Sequence, residues 1–98
     1  MNIFFNEKSP EKIITAIKTA LGDRELAKMV SFAMEGKNML ITISKLGTSV
    51  LTFAHKDKDG GSEFTLSGEK IAFAHKAFKD DVKDKIIKVV AKAGGKVS

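Results

Sequence analysis

The tetrapeptide Phe-Ala-His-Lys occurs twice, at residues 53–56 and 73–76, and the two copies hold the only two histidines, His55 and His75. Histidine is the side chain that most readily serves as a metal ligand or general base near neutral pH, so any catalytic or metal reading runs through this pair. Little else in the chain offers chemistry. Cysteine is absent, which removes thiolate zinc sites, iron–sulfur clusters, cysteine nucleophiles and disulfide scaffolds. A mononuclear zinc site requires three or four ligands at about 2 Å, and His55, His75 and Glu63 are a thin set. Ser, His and Asp are all present, but no nucleophile elbow marks an acyl-transfer triad. Gly60-Gly61 and residues 45–48 are the glycine-containing loops near lysine, and neither has the spacing or strand-to-helix context of a phosphate loop. Asp57, Asp59 and Glu63 alternate as acids do in a calcium loop, without its remaining ligands or exiting helix. The expectation is no enzyme, no metal and no cofactor.

The elements that must position the histidines are legible from capping and periodicity. Ser9-Pro10-Glu11 has the make-up of a helix start. Ile13, Ile17 and Leu21 then follow a helical period, flanked by Ile14, Ala16 and Ala20, and Gly22 is the natural stop. Asp23 can cap a short second helical segment over residues 24–28. Residues 29–34 read two ways. Leu26, Met29, Val30 and Ala33 have helical spacing, whereas Val30, Phe32 and Met34 alternate as in a strand. The strand is favoured, because a turn at 35–38 leads directly into the strongly strand-forming residues 39–43.

A meander follows, with a turn at 45–48, a strand at 49–55, a charged turn at 56–61, a strand at 63–66, a tight connection at 67–70 and a last strand at 71–75. Ile71, Ala74, Phe78 and Val82 are also helically spaced. A helix begun at Ser67 would run about 26 residues and span about 39 Å, long for so small a chain, so the strand is kept. Phe78, Val82, Ile86, Val89 and Ala93 share one face of a C-terminal helix that Gly94-Gly95 ends, leaving residues 94–98 as a frayed tail. The expected fold is a single domain, 1–98, of the α+β class. It has two layers, an antiparallel four- to five-stranded meander packed against an N-terminal and a C-terminal amphipathic helix. A short N-terminal strand fits the same scheme. The order helix, meander, closing helix is similar in outline to small helix-grip domains, in which a C-terminal helix lies across a curved sheet; the likeness is one of topology and implies no site residue.

In such a meander the strands ending at His55 and His75 run the same way and finish at one edge of the sheet. Leu51, Phe53 and His55 form one period-2 series and Ile71, Phe73 and His75 another, both facing the core, with the histidine backbones about 10 Å apart. Each histidine would then sit where buried face meets solvent, half apolar and half wet, with a pH-sensitive contact or weak metal binding as the alternatives for His55 and His75.

The net charge is +5, yet of 17 basic residues only Arg24 is arginine. Lysine is a hydrated point charge that confers solubility, whereas arginine makes the bidentate contacts typical of nucleic-acid recognition. The candidate interaction surface comprises Lys56, Lys58, Asp59 and Glu63 at the charged turn, and Lys79, Lys83, Lys85, Lys88 and Lys92 flanking the C-terminal apolar stripe. The opening residues lack the cationic flank and cleavage site of a signal peptide, and no run approaches the roughly 18 apolar residues of a membrane span. The leading expectation is a cytoplasmic, non-enzymatic binding module acting through a protein partner, an adaptor or small inhibitor of the kind encoded by phages and other mobile elements. The alternatives are a nucleic-acid-binding module using the lysine-rich helix, or an apolar ligand held between sheet and closing helix. A homo-oligomer is compatible with all three.

Overall fold

The computed structural model describes residues 1–22 and 25–98, and the side chains of these except at 25, 26, 74 and 77–79. The expected roles of Asp23 as a cap and of Arg24 therefore lie outside the described residues, as do the side chains of Leu26, Phe78 and Lys79.

The chain opens with strand β1 (Asn2–Phe5) and enters helix α1 (Pro10–Leu21) through the anticipated cap. Ser9 is extended, and its hydroxyl accepts from the Lys12 N–H. Pro10 begins the helix where its missing donor costs nothing. At the other end Gly22, at φ 59°, supplies a conformation that side-chain-bearing residues avoid, and its N–H closes on Lys18 O. Ile13, Ile14, Ile17, Ala20 and Leu21 form the buried stripe.

After a short helix α2 (Glu25–Met29), four strands follow in succession: β2 (Val30–Glu35), β3 (Asn38–Ser44), β4 (Thr48–Lys58) and β5 (Gly61–Lys70). The strand reading of residues 30–34 is the one the fold adopts. The β4–β5 turn is Asp59-Gly60 with both residues at positive φ, the conformation whose twist matches that of a hairpin. Helix α3 (Lys79–Lys92) and a two-residue strand β6 (Lys96–Val97) complete the chain.

The sheet has six strands in the order β2-β3-β4-β5-β1-β6, every neighbouring pair antiparallel. One face carries Ile3, Phe5, Phe32, Met39, Ile41, Leu51, Phe53 and Phe64, which are buried together with the stripe of α1 and with Val82, Ile86, Val89 and Val90 of α3. The expected α+β class and antiparallel sheet therefore hold, with six strands in place of four or five and three helices, α1, α2 and α3, in place of an N-terminal and a C-terminal one.

Three expectations are corrected. The tight connection at 67–70 is absent. β5 runs through it, because Ser67 is accommodated as an extra residue between the pairs Phe53↔Leu66 and Thr52↔Gly68. A bulge inserts one residue without ending the strand. The last strand at 71–75 is also absent, and residues Phe73–Phe78 form a 3-10 helix leading into α3. The tail expected to fray instead pairs with β1 as β6, with Asn2 and Ser98 exchanging both backbone hydrogen bonds. Gly95 makes that return feasible, since a Cβ there would lie 2.6 Å from Val90 Cγ1 and 2.9 Å from the Phe5 ring.

Candidate functional site

With the last strand gone, the two histidines do not share a sheet edge. His55 lies on β4 six positions beyond Ser49, and Ser49 is the residue that His75 contacts. Six strand residues span about 20 Å, so the histidines occupy opposite ends of β4 and cannot act as a pair.

Each histidine is instead paired with a buried serine. At one end of β4 the Ser49 hydroxyl lies 2.5 Å from His75 Nδ1 and accepts the Ala72 N–H at 2.8 Å, while His75 Nε2 contacts the carbonyl of Lys45. A carbonyl can only accept, so in the neutral ring Nε2 carries the proton, Nδ1 accepts from Ser49, and every polar atom is satisfied. Ser49 is 0% exposed and His75 3%. The arrangement lacks what an acyl-transfer dyad needs, because the hydroxyl is fully buried and unreachable by a substrate. What it does is tie together three segments: the β3–β4 turn, the start of β4 and the 3-10 helix.

At the other end His55 Nε2 lies 2.9 Å from the Ser62 hydroxyl, which donates to Glu7 O at 2.7 Å. The His55 ring also rests 5.1 Å from that of Phe64. This contact anchors the β1–α1 connection to β5. Asp57 is 3.8 Å from the same nitrogen. Among the described residues no group of three or more His, Asp or Glu side chains converges as a metal site.

The charged candidates separate into two groups. At the β4–β5 turn Lys58 Nζ and Glu63 Oε2 are 3.0 Å apart. The hydrogen bond and charge of Glu63 hold the Lys58 ammonium above the usual lysine range. Lys56 and Asp59 are exposed. On α3, Lys83 reaches Glu69 of β5 at 3.3 Å and Lys85 reaches Asp81 one turn back at 3.2 Å. Lys88 and Lys92 are exposed, and the Lys79 side chain lies outside the described ones. Of the four helix lysines with described side chains, Lys83 and Lys85 thus meet carboxylates, which weakens the basic field a nucleic-acid backbone requires.

Between β4 and α3, beside Ser49, the cavity lined by Ile43, Leu51, Ile71 and Val82 holds about 10 Å³. Small-molecule pockets start near 300 Å³, so an apolar ligand has no room there. A shallower cleft of about 230 Å³ opens next to it, walled by Met29, Lys45, Leu46, Asp81 and Lys85.

The residues that reading the sequence missed are Leu46 and Phe73. They are 85% and 89% exposed, while most large apolar side chains described are buried in the core. Both are held by the His75 contacts. Leu46 follows the Lys45 carbonyl that His75 engages, and Phe73 follows Ala72, whose N–H is fixed by Ser49. The two segments touch directly, for a Cβ on Gly47 would meet Ala72 Cβ at 3.1 Å. Leu46 is held at φ 57°, a region a branched side chain enters only when the surroundings impose it. Lys45, Lys70 and Lys76 are exposed around this end, with the Lys76 ammonium 5.9 Å from the Phe73 ring centre. One signal for Phe73 was present in the sequence: on the helical spacing of Ile71, Ala74, Phe78 and Val82, it falls off the apolar stripe.

No protein-family model, curated protein or solved structure matches this chain.

Proposed function

We propose that this chain is a non-enzymatic binding module that docks an acidic, apolar-bearing segment of a partner protein on the end of the sheet formed by the β3–β4 turn and the 3-10 helix. The observation that carries the reading is the outward projection of Leu46 and Phe73 from segments fixed by a fully satisfied buried network. Exposed aromatic and aliphatic side chains on a rigid base lose little entropy on contact, which is what a binding hot spot requires. Lys45, Lys70 and Lys76 surround them and supply the charge that favours acidic partners. Among the described residues no helix is long and apolar enough to cross a membrane.

The test is selection from a random peptide display library against the immobilised chain. Peptides pairing Asp or Glu with a large apolar residue are expected to be enriched, and their affinity to fall at least tenfold with Leu46→Ser or Phe73→Ser. Enriched peptides whose binding ignores both substitutions would overturn the reading. So would binding to duplex DNA or anionic vesicles in the absence of any peptide binder.

A further inference from the structure

A second surface is independent of the apolar end. β2 forms one margin of the sheet. Its turn, Gly36-Lys37, closes Glu35 against Asn38. In such a hairpin the closing pair exchanges both backbone hydrogen bonds, as does every second pair after it. Ser31, Ala33 and Glu35 therefore bond to β3, while the N–H and C=O groups of Val30, Phe32 and Met34 point away from the sheet. Sheet edges are normally guarded by lysine, proline, a bulge or brevity. The opposite margin, β6, is two residues long. β2 has six residues, no proline or lysine and an unbroken register with β3.

Helix α1 runs beside this edge, and two adjoining grooves lie between them. One, of about 350 Å³, is bounded by Glu11, Ile14, Thr15 and Lys18 on the helix and by Phe32 and Met34 on the strand. The next, of about 320 Å³, continues past Lys18 towards Leu21 and Val30. Helix and strand thus run in opposite directions, with Lys18 level with Phe32 and Glu11 towards Met34.

We infer that the edge is occupied by a second copy of this chain, β2 pairing antiparallel with its counterpart about a two-fold axis perpendicular to the sheet. The sheet then continues unbroken across both copies. Charge selects this occupant. The axis sets the two α1 helices side by side and antiparallel, so the acidic start of each approaches the basic end of the other, with both Glu11 and Lys18 exposed. A register centred on Phe32 would oppose the two Lys18 side chains. Moving the axis to Ala33 displaces one helix against the other by about 6.6 Å, two strand residues, which carries each Lys18 to within about 4 Å of Glu11 of the other copy along the axis. In that register Phe32 of each copy lies opposite Met34 of the other, and their outward backbone groups are paired. The patch is self-complementary, as an isologous interface must be.

Sedimentation equilibrium of the full chain at low salt is expected to show the 10.6 kDa species giving way to twice that mass as concentration rises. Lys18→Glu places carboxylates at both positions and Glu11→Lys places ammonium groups at both, so each variant weakens its own dimer roughly tenfold or more. An equal mixture of the two variants restores opposite charges and is expected to form a mixed dimer. Amide hydrogen exchange needs no variant: the outward Phe32 and Met34 amides are expected to exchange more slowly at higher wild-type concentration. A chain that stays at 10.6 kDa up to about 1 mM, where even a weak association shows, overturns the inference. Single variants that self-associate as tightly as the wild type, or exchange rates at Phe32 and Met34 independent of concentration, also overturn it. A monomer that still binds peptides through Leu46 and Phe73 removes this inference alone.

Discussion

Ser49→Ala removes one interior oxygen and strands two polar groups: His75 Nδ1 loses its donor and the Ala72 N–H its acceptor. The His75 ring is nearly fully buried and cannot turn to water, whereas Ala72 is only half-buried and its N–H can recover part of the loss. An unsatisfied buried group costs about 1–3 kcal/mol, which sets the range for two at about 2–6 kcal/mol. The adjoining cavity of about 10 Å³ can admit at most one water, so partial relief places the expected loss at about 3 kcal/mol. That is a large share of the roughly 5–15 kcal/mol that holds a small protein folded. At about 4–8 °C per kcal/mol for a chain of this size, Tm falls by about 12–24 °C. Urea unfolding followed by far-ultraviolet circular dichroism is the suitable assay, because the chain has no Trp or Tyr. Ser62→Ala is the internal control. It breaks the matching contact to His55 and removes the donor to Glu7 O, but both contacts are only part-buried and can recruit water, so its expected cost is about 1–2 kcal/mol. A Ser49→Ala loss below about 1 kcal/mol, or one no larger than that of Ser62→Ala, would refute the claim that the network organises this end.

Two further outcomes are expected. Gly61→Ala places a Cβ 2.3 Å from Phe5 O and 2.9 Å from the Phe4 ring, so β1 and β5 must part; a loss of about 2 kcal/mol or more in urea unfolding is expected, and a neutral result would contradict the β1–β5 register. Glu63→Gln returns the raised Lys58 pKa towards the ordinary lysine range, read by NMR titration of the side chain. Because the folded pKa is the higher one, the wild-type contribution is complete below the ordinary lysine value and is lost as pH climbs through the raised one. Above that window the stabilities of Glu63→Gln and wild type should converge.

How far the fold was legible depended on whether local chemistry and long-range pairing agreed. Ser9, Pro10 and Gly22 define α1 by capping chemistry that acts within one turn, and Asp59-Gly60 has the two positive φ values that close a hairpin, so both could be read directly. Ser67-Gly68 has the same turn-like composition with the opposite outcome. Whether it turns or bulges is decided by its pairing partners Thr52 and Phe53, residues distant in sequence. The alternation across 71–75 misled for a related reason. Ile71 and Phe73 share a period-2 series, yet Ile71 packs against the core and Phe73 projects outward. The serine partners of the histidines were not readable either, because Ser49 and His75 meet only through a fold that brings residues 26 positions apart together. The repeated tetrapeptide thus marks two structurally unrelated histidines, one on a strand and one on a 3-10 helix, each closing a different loop.

Under the proposed function this molecule acts through the apolar end built on Ser49 and His75. The most direct measurement is a ¹⁵N NMR titration with a short acidic peptide carrying Phe or Leu, run on wild type and on Phe73→Ser. Phe73 is almost wholly exposed, so its substitution should leave unfolding unchanged within about 0.5 kcal/mol. Shifts gathered at residues 45–47 and 72–76 in the wild type, and lost in an equally stable Phe73→Ser, are the predicted result. Shifts elsewhere on the surface, or a Phe73→Ser response identical to wild type, would contradict it.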